Sequence, residues 1–355
     1  MNNDLQESTI ASDSKRDSYI IVLTDEERDT IHGIIDGLPE LDLLSMDDDQ
    51  LFTQIELAQK YVPDRIARML IDFRRNSNQY GTLLFHNLPV DPTLPPTPGD
   101  GRVSRAKASH VSEYGLLLMM MFLGEPIAYA DEKEGMLIQN ICPVKGNEEK
   151  QENTGSVYLE FHTEDGFHPY KPDFLGLTCL RSDHDRIAKT ISASVRNALH
   201  RVPSKAISIL RQPFYRIRLS SSFTSNGGPA LYSAPMAVLS GDVLEPELCI
   251  DFHAMEAMNV AAHVAMDLLK NALMEVAIDC ALLPGDLIIV DNRVAAHART
   301  SFRPRFDGED RWLQRLFVVH DFRRSRGSRP QGRHVCTPLT VEFCSLQEIT
   351  VGSPH

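Results

Sequence analysis

The chain has 355 residues, 42% of them hydrophobic and 24% charged, which is ordinary for a protein with a sizeable core and is taken here as one large domain. A formal charge of −13 argues against a phosphate-binding surface, which needs clustered Lys and Arg, so no nucleic-acid partner is expected. The six cysteines form no CxxC pair and read as reduced thiols, and the most apolar run, 116–123, is far short of the roughly 20 residues that cross a bilayer.

Residues 1–17 are polar and acidic, without the cationic start and apolar stretch of a signal peptide, and predict a disordered leader on a cytoplasmic protein with no membrane partner. Residues 19–23 resemble a short strand, followed by a helix start at Thr24 with Glu26 and Glu27 in its first turn. Helical spacing then runs over 51–75, with Ile66, Met69, Leu70 and Phe73 on the core face. A strand at 81–85 leads into a Pro/Gly-rich loop over 88–101, and a helix over 110–122, apolar all round, predicts packing on several sides with Met119 to Met121 in the core.

From Met136 the period changes to short apolar segments: 136–141, 157–161, 174–180, 215–219, 248–252, 287–290 and 316–320. Helices do not alternate with them, so a sandwich or barrel is favoured over a parallel α/β sheet. A helix over 255–277 interrupts the series, with Met258, Ala262, Ala265, Leu268, Leu269 and Leu273 on one face. The Ser/Gly/Pro-rich stretch 220–246 suits a long loop covering a site. No internal repeat, P-loop or dinucleotide-binding glycine pattern is present.

The chemistry centres on Phe161-His162-Thr163-Glu164-Asp165 at the end of a predicted strand. Alternate strand residues share a face, so His162 and Glu164 can approach one metal; an HxE pair alone is equally a surface pair. Pro284-Gly285-Asp286 launches a second strand whose far end presents His297. Two imidazoles and a carboxylate make a facial triad that leaves three iron positions open for a chelating cosubstrate and dioxygen. Arg311, fourteen residues beyond His297, could fork onto the distal carboxylate of 2-oxoglutarate, and Arg315 would share its strand face; the plain alternative is two surface arginines.

Taken together, His162-Thr163-Glu164-Asp165, Phe167-His168-Pro169-Tyr170, the Pro284-Gly285-Asp286 turn, His297 and Asp310-Arg311-Trp312-Leu313-Gln314-Arg315 resemble the clavaminate synthase-like group of iron(II)/2-oxoglutarate oxygenases over roughly 135–323, in particular its arginine and asparagine β-hydroxylases of peptide antibiotic biosynthesis. The resemblance implies a mainly β fold with added helices, built on a double-stranded β-helix (jelly-roll, cupin-like) core. It implies Fe(II) held by His162, Glu164 and His297, and 2-oxoglutarate held by Arg311 with Thr190. Arg315 would take the substrate α-carboxylate and Glu132 its α-amine, with Glu134 as the rival. Asp251 falls where these relatives read the substrate side chain, unless it only caps the helix that follows. The arginine hydroxylases place two aspartates where this chain has Asp251 and then His253, which argues against arginine itself. His168 reads as a turn residue supporting the iron loop, and Arg323-Arg324-Ser325-Arg326 as a solvated tail.

The expected domain plan is the leader, one catalytic oxygenase domain over 18–330 with 220–246 as active-site lid, and a C-terminal extension over 331–355. The expected function is hydroxylation of a free polar or basic L-amino acid, of the arginine, lysine, ornithine, citrulline, asparagine or glutamine class, at C3 or C4, using O2 and releasing succinate and CO2. The carboxylate at Glu164 disfavours halogenation. Desaturation or cyclisation, a TauD-like oxygenase of another small acid, and a non-catalytic 2-oxoglutarate or iron sensor are the competing readings. The oligomeric state is left open.

Overall fold

The computed structural model describes residues 19–224 and 230–339, so the expected leader and residues 340–355 lie outside the described residues. Two sheets face one another. The larger runs, in spatial order, Ile20–Val22, Thr82–His86, Leu287–Asp291, Phe174–Arg181, Trp312–Val319, Glu125–Tyr129 and Val335–Cys336, with Ile138–Ile141 also paired to Trp312–Val319. The smaller runs Ile278–Ala281, Lys189–Ser194, Ala295–Arg299 and Leu159–His162, all antiparallel. This is the jelly-roll core, mainly β with added helices, that the sequence led us to expect.

Strand alternation divides the apolar residues between two compartments. Leu287 and Ile289 pack outward with the N-terminal helices, whereas Ile288 and Val290 point into the space between the sheets. Leu316 and Val318 go out and Leu313 and Phe317 go in by the same rule. Strands buried on both faces therefore read as unbroken apolar runs. A third cluster covers the outside of the smaller sheet, where Ala193, Ala296 and Ala298 meet Leu269 and Leu273 of the helix Val260–Glu275.

Several expected boundaries move. The helix expected over 51–75 is two helices, Asp49–Ala58 and Asp64–Asn76, because Pro63 lacks an amide hydrogen and disfavours helical backbone at Val62. The helix expected from Met255 starts at Val260: Met255–Ala257 pairs with Tyr215–Ile217, and Asn259 then caps the helix through Ala262 N. Its buried face is accordingly Ala262, Ala265, Met266, Leu269, Ala272 and Leu273, while Met258 and Leu268 are exposed. Strands at Lys189–Ser194, Ile278–Ala281 and Ala295–Arg299 carry small or polar residues and gave no apolar run to find, and Glu125–Tyr129 opens on a charge and a proline. Within the expected extension, Val335–Cys336 adds a parallel strand beside Glu125–Tyr129, and Arg323 to Arg326 lie in a short 3-10 helix with Ser325 buried. The five described cysteines are free thiols, and no helix among the described residues is long and apolar enough to cross a membrane.

The helix Val111–Met120, buried along its whole length, backs the larger sheet. Its first turn has no side-chain cap of its own; Asp91 supplies one from twenty residues upstream, accepting from Val111 N at 3.0 Å and Ser112 N at 3.2 Å. Lys107 Nζ lies 2.8 Å from Asp91 and 2.6 Å from Glu113, and Gln314 Nε2 donates to Glu113 Oε1 at 2.7 Å, tying the helix to the central strand. Burial alone would raise the Glu113 carboxyl, but His110, Lys107 and Gln314 hold it down at about 2. Its stabilisation is fully present above pH 4.5 and is lost as pH falls from there to about 2. Glu113→Ala leaves Lys107 without one of its two buried partners, and urea unfolding at neutral pH is expected to show a loss of about 3–5 kcal/mol. A loss below about 1 kcal/mol would show the network to be dispensable.

Candidate active site

His297 is held between Ala296 and Ala298, whose methyl groups pack outward, so alternation turns its imidazole into the space between the sheets. Its Cα lies directly opposite that of His162 on one neighbouring strand and that of Ser192 on the other. The His162 Nδ1–H donates to Glu160 O at 2.8 Å, which leaves Nε2 for the site. Beyond His162 the chain stays extended, with Thr163 N donating to Ile250 O at 2.7 Å, and Glu164 returns to the inner face. Asn292 then clamps the Glu164 peptide from both sides, accepting from its N–H at 2.7 Å and donating to its carbonyl at 3.1 Å.

One ligand atom from each of His162, Glu164 and His297 lies within 4.8 Å of the others. His297 Nε2 is 3.3 Å from Glu164 Oε1. Burial, and then His162 beside it, push the His297 imidazole down towards the neutral form that binds a metal. Burial would raise the Glu164 carboxyl, but Arg315 and His297 hold it well below the usual carboxylate range. Two imidazole nitrogens and a carboxylate oxygen lining one cavity fit a divalent iron with open positions. The other described trio, His184, Asp307 and Asp310, lacks this character, since the backbone amides of Arg305 and Phe306 already occupy both Asp310 oxygens.

The triad lines a cavity of about 360 Å³, within the range of small-molecule sites. Thr190, Arg311, Arg315, Glu132, Asp251 and His253 line the same cavity. Arg311 is buried, and its hydrogen bond is to Thr190 Oγ1 at 3.4 Å. Arg315 donates from Nη1 to Glu164 at 2.8 Å, and from Nη2 to Glu132 and Gln139. Glu132 is buried with its second oxygen, Oε2, unpartnered, whereas Glu134 is exposed and paired with Arg102. The Asp251 backbone bridges to His162, but its Oδ1 accepts from His253 N at 2.9 Å and Ala254 N at 2.8 Å, closing its own turn. His253 is exposed at the cavity wall. His168 closes the turn after the triad, accepting from Tyr170 N at 3.0 Å through Nδ1.

Four residues of this neighbourhood were given no role from the sequence. Gln139 orients Arg315, and Asn292 orients Glu164. Asp165 is half-buried beside Glu132 and Glu164, and desolvation first and their charges second push its carboxyl well up. Arg299, two residues past His297, lines the cavity, and burial followed by the charge of Arg311 pushes it down to about 9. The parity of the His297 strand was the available signal for Arg299; nothing local marked the others.

Residues 65–317 match the Taurine catabolism dioxygenase TauD, TfdA family. The chain is 42% identical to an L-asparagine oxygenase of Streptomyces coelicolor, over 77% of this chain and 81% of that protein. It is 33% identical to an L-lysine 3-hydroxylase of Catenulispora acidiphila, over 88% of this chain and 87% of that one. The structure superposes with a TM-score of 0.83 and 37% identity on an asparagine oxygenase in complex with Fe(II), 2S,3S-3-hydroxyasparagine and succinate, covering 91% of this chain and all of the other.

Asn292 contacts no ligand atom itself, so Asn292→Ala tests how far the clamp orients the triad. Anaerobic Fe(II) titration is expected to show about 10–100-fold weaker binding, with the folded state checked by thermal melting. Unchanged affinity in a folded variant would separate the clamp from metal binding.

Proposed function

The chain belongs to the TauD/TfdA family and is a non-haem Fe(II)/2-oxoglutarate-dependent dioxygenase, and on that premise we propose that it hydroxylates a free polar or basic L-amino acid at C3. The observation that carries this reading is the buried Glu132–Arg315 pair beside the triad. A zwitterion needs one fixed anion and one fixed cation a short distance apart. Glu132 Oε2 is the unpartnered acceptor for the α-ammonium, and Arg315 is the fork for the α-carboxylate.

His162, Glu164 and His297 would hold the iron, which with 2-oxoglutarate and dioxygen supplies the oxidant that converts one C–H bond to C–OH while forming succinate and CO2. Glu164 engaged by metal no longer needs Arg315 Nη1, which is then available to the substrate carboxylate. Arg311 with Thr190 takes the distal carboxylate of 2-oxoglutarate. Asp251 keeps Oδ2 clear of its turn and faces the substrate side chain beside His253. The described parts of segment 220–246 serve as a lid, residues 225–229 lying outside the described residues: Ser220 and Ser222 line the cavity, and Ser221 Oγ donates to Glu152 at 2.7 Å. C3 is favoured over C4 by likeness to the lysine 3-hydroxylase and to the asparagine oxygenase solved with 3-hydroxyasparagine.

Succinate release screened across the proteinogenic amino acids, ornithine and citrulline identifies the substrate, with asparagine and lysine tried first. Succinate formed one for one with a 3-hydroxylated product is the expected result; stoichiometric 2-oxoglutarate binding without turnover in oxygen would sink it. Glu132→Gln is expected to raise the amino-acid KM by about 10–100-fold while uncoupled 2-oxoglutarate decay persists. Equal loss of both activities would remove Glu132 from the substrate side of the site.

A further inference from the structure

Arg299 is a buried cation of this cavity to which neither the triad, the amino-acid site nor the Arg311–Thr190 pair has given a role. Its Cα lies directly opposite that of Thr190 in the smaller sheet, so the two side chains are neighbours on the inner face. Thr190 Oγ1 in turn accepts from Arg311. The Arg299 and Arg311 guanidiniums both lie against the Phe302 ring, 5.2 and 5.9 Å from its centroid. All three polar residues line the cavity that holds the triad.

Neither guanidinium forms an ion pair with a carboxylate among the described residues. Arg299 Nη2 donates to Val157 O at 3.0 Å, and its Nε, fully buried, has no partner at all. Two adjacent buried cations repel and lose their hydration, which is tolerated where an anion joins them. Arg299 also stands two residues from His297 on the same strand face, about 6.6 Å along the strand. A short diacid chelated at the metal by one end reaches that point with the other.

We propose that Arg299 is a second cosubstrate-binding arginine, donating its Nε–H to the distal carboxylate of 2-oxoglutarate that Arg311 and Thr190 also hold. A carboxylate offers about four lone-pair positions. The Arg311 fork takes two, the Thr190 hydroxyl a third and Arg299 Nε the fourth. The inference rests on the 2-oxoglutarate reading of Arg311 and adds to it a residue that sets the preference for a dicarboxylate over a monocarboxylate 2-oxo acid.

The test compares two probes by anaerobic calorimetry on the Fe(II)-loaded enzyme: 2-oxoglutarate and 2-oxopentanoate, which has the same five-carbon chain without the distal carboxylate. The quantity read is the ratio of their affinities within each variant. Arg299→Gln is expected to lower the ratio about 10–100-fold by weakening 2-oxoglutarate alone, and Arg299→Lys, which keeps the charge without the fork, to lower it less. Equal weakening of both acids assigns Arg299 to propping the Val157 strand and overturns the proposal, as does an unchanged ratio. If Arg299→Gln does not fold, the Arg299→Lys ratio decides by the same criterion. Arg311→Gln separates the two levels: a ratio lowered in Arg311→Gln but not at Arg299 defeats this inference alone, whereas an unchanged ratio in both defeats the 2-oxoglutarate reading beneath it.

Discussion

The backbone register that locks Ala295–Arg299 between Lys189–Ser194 and Leu159–His162 is what the rest of the site depends on. It sets His297 opposite His162 and Arg299 opposite Thr190, so one strand contributes to the metal corner and to the anion corner two residues apart. A slip of one residue would turn both side chains out against the helix Val260–Glu275 and bring Ala296 and Ala298 into the cavity. The small residues of that strand are part of the same device. Ala296 and Ala298 let the helix pack close, and that packing holds the alternation fixed.

Charge in the cavity is arranged in two groups of different character. Around Arg315 the cation and the anions Glu132 and Glu164 satisfy one another, with Gln139 completing the donor set. Around Arg311 and Arg299 there are two cations, a hydroxyl and an aromatic ring, and neither cation forms an ion pair with a carboxylate among the described residues. The first group suits a zwitterion, which brings one charge of each sign. The second suits a carboxylate, which brings only one. On the proposed reading the first group would take the amino acid and the second the 2-oxo acid, a division that follows from the protein's own charges.

Support for these groups comes from the back of the larger sheet. Alternation puts Arg315 inside and Gln314 outside, where Gln314 joins the buried Lys107, Asp91 and Glu113 network. The strand that aims both arginines into the cavity is thereby fastened to a helix on its other face. A buried ionic network of this kind specifies position more than it adds net stability, because desolvation offsets much of the attraction.

Within the sequence itself, the HxE pair at a strand end, His297 after a Pro-Gly-Asp turn, and two arginines four apart determined the β-rich family fold and marked out the candidate metal triad and the proposed cosubstrate corner. These features are local in sequence, with a fixed parity, and parity survives folding. The helix break at Pro63 is legible on the same terms. What only the tertiary structure decided is pairing between distant segments: Glu132 over Glu134 beside Arg315, Asn292 on the Glu164 peptide, Asp251 bound into its own turn, and Arg299 next to Thr190. The strands Lys189–Ser194 and Ala295–Arg299 stayed hidden for a related reason. Their small and polar side chains answer to the neighbouring strand and to the cavity, so no apolar period marks them until the sheet has formed.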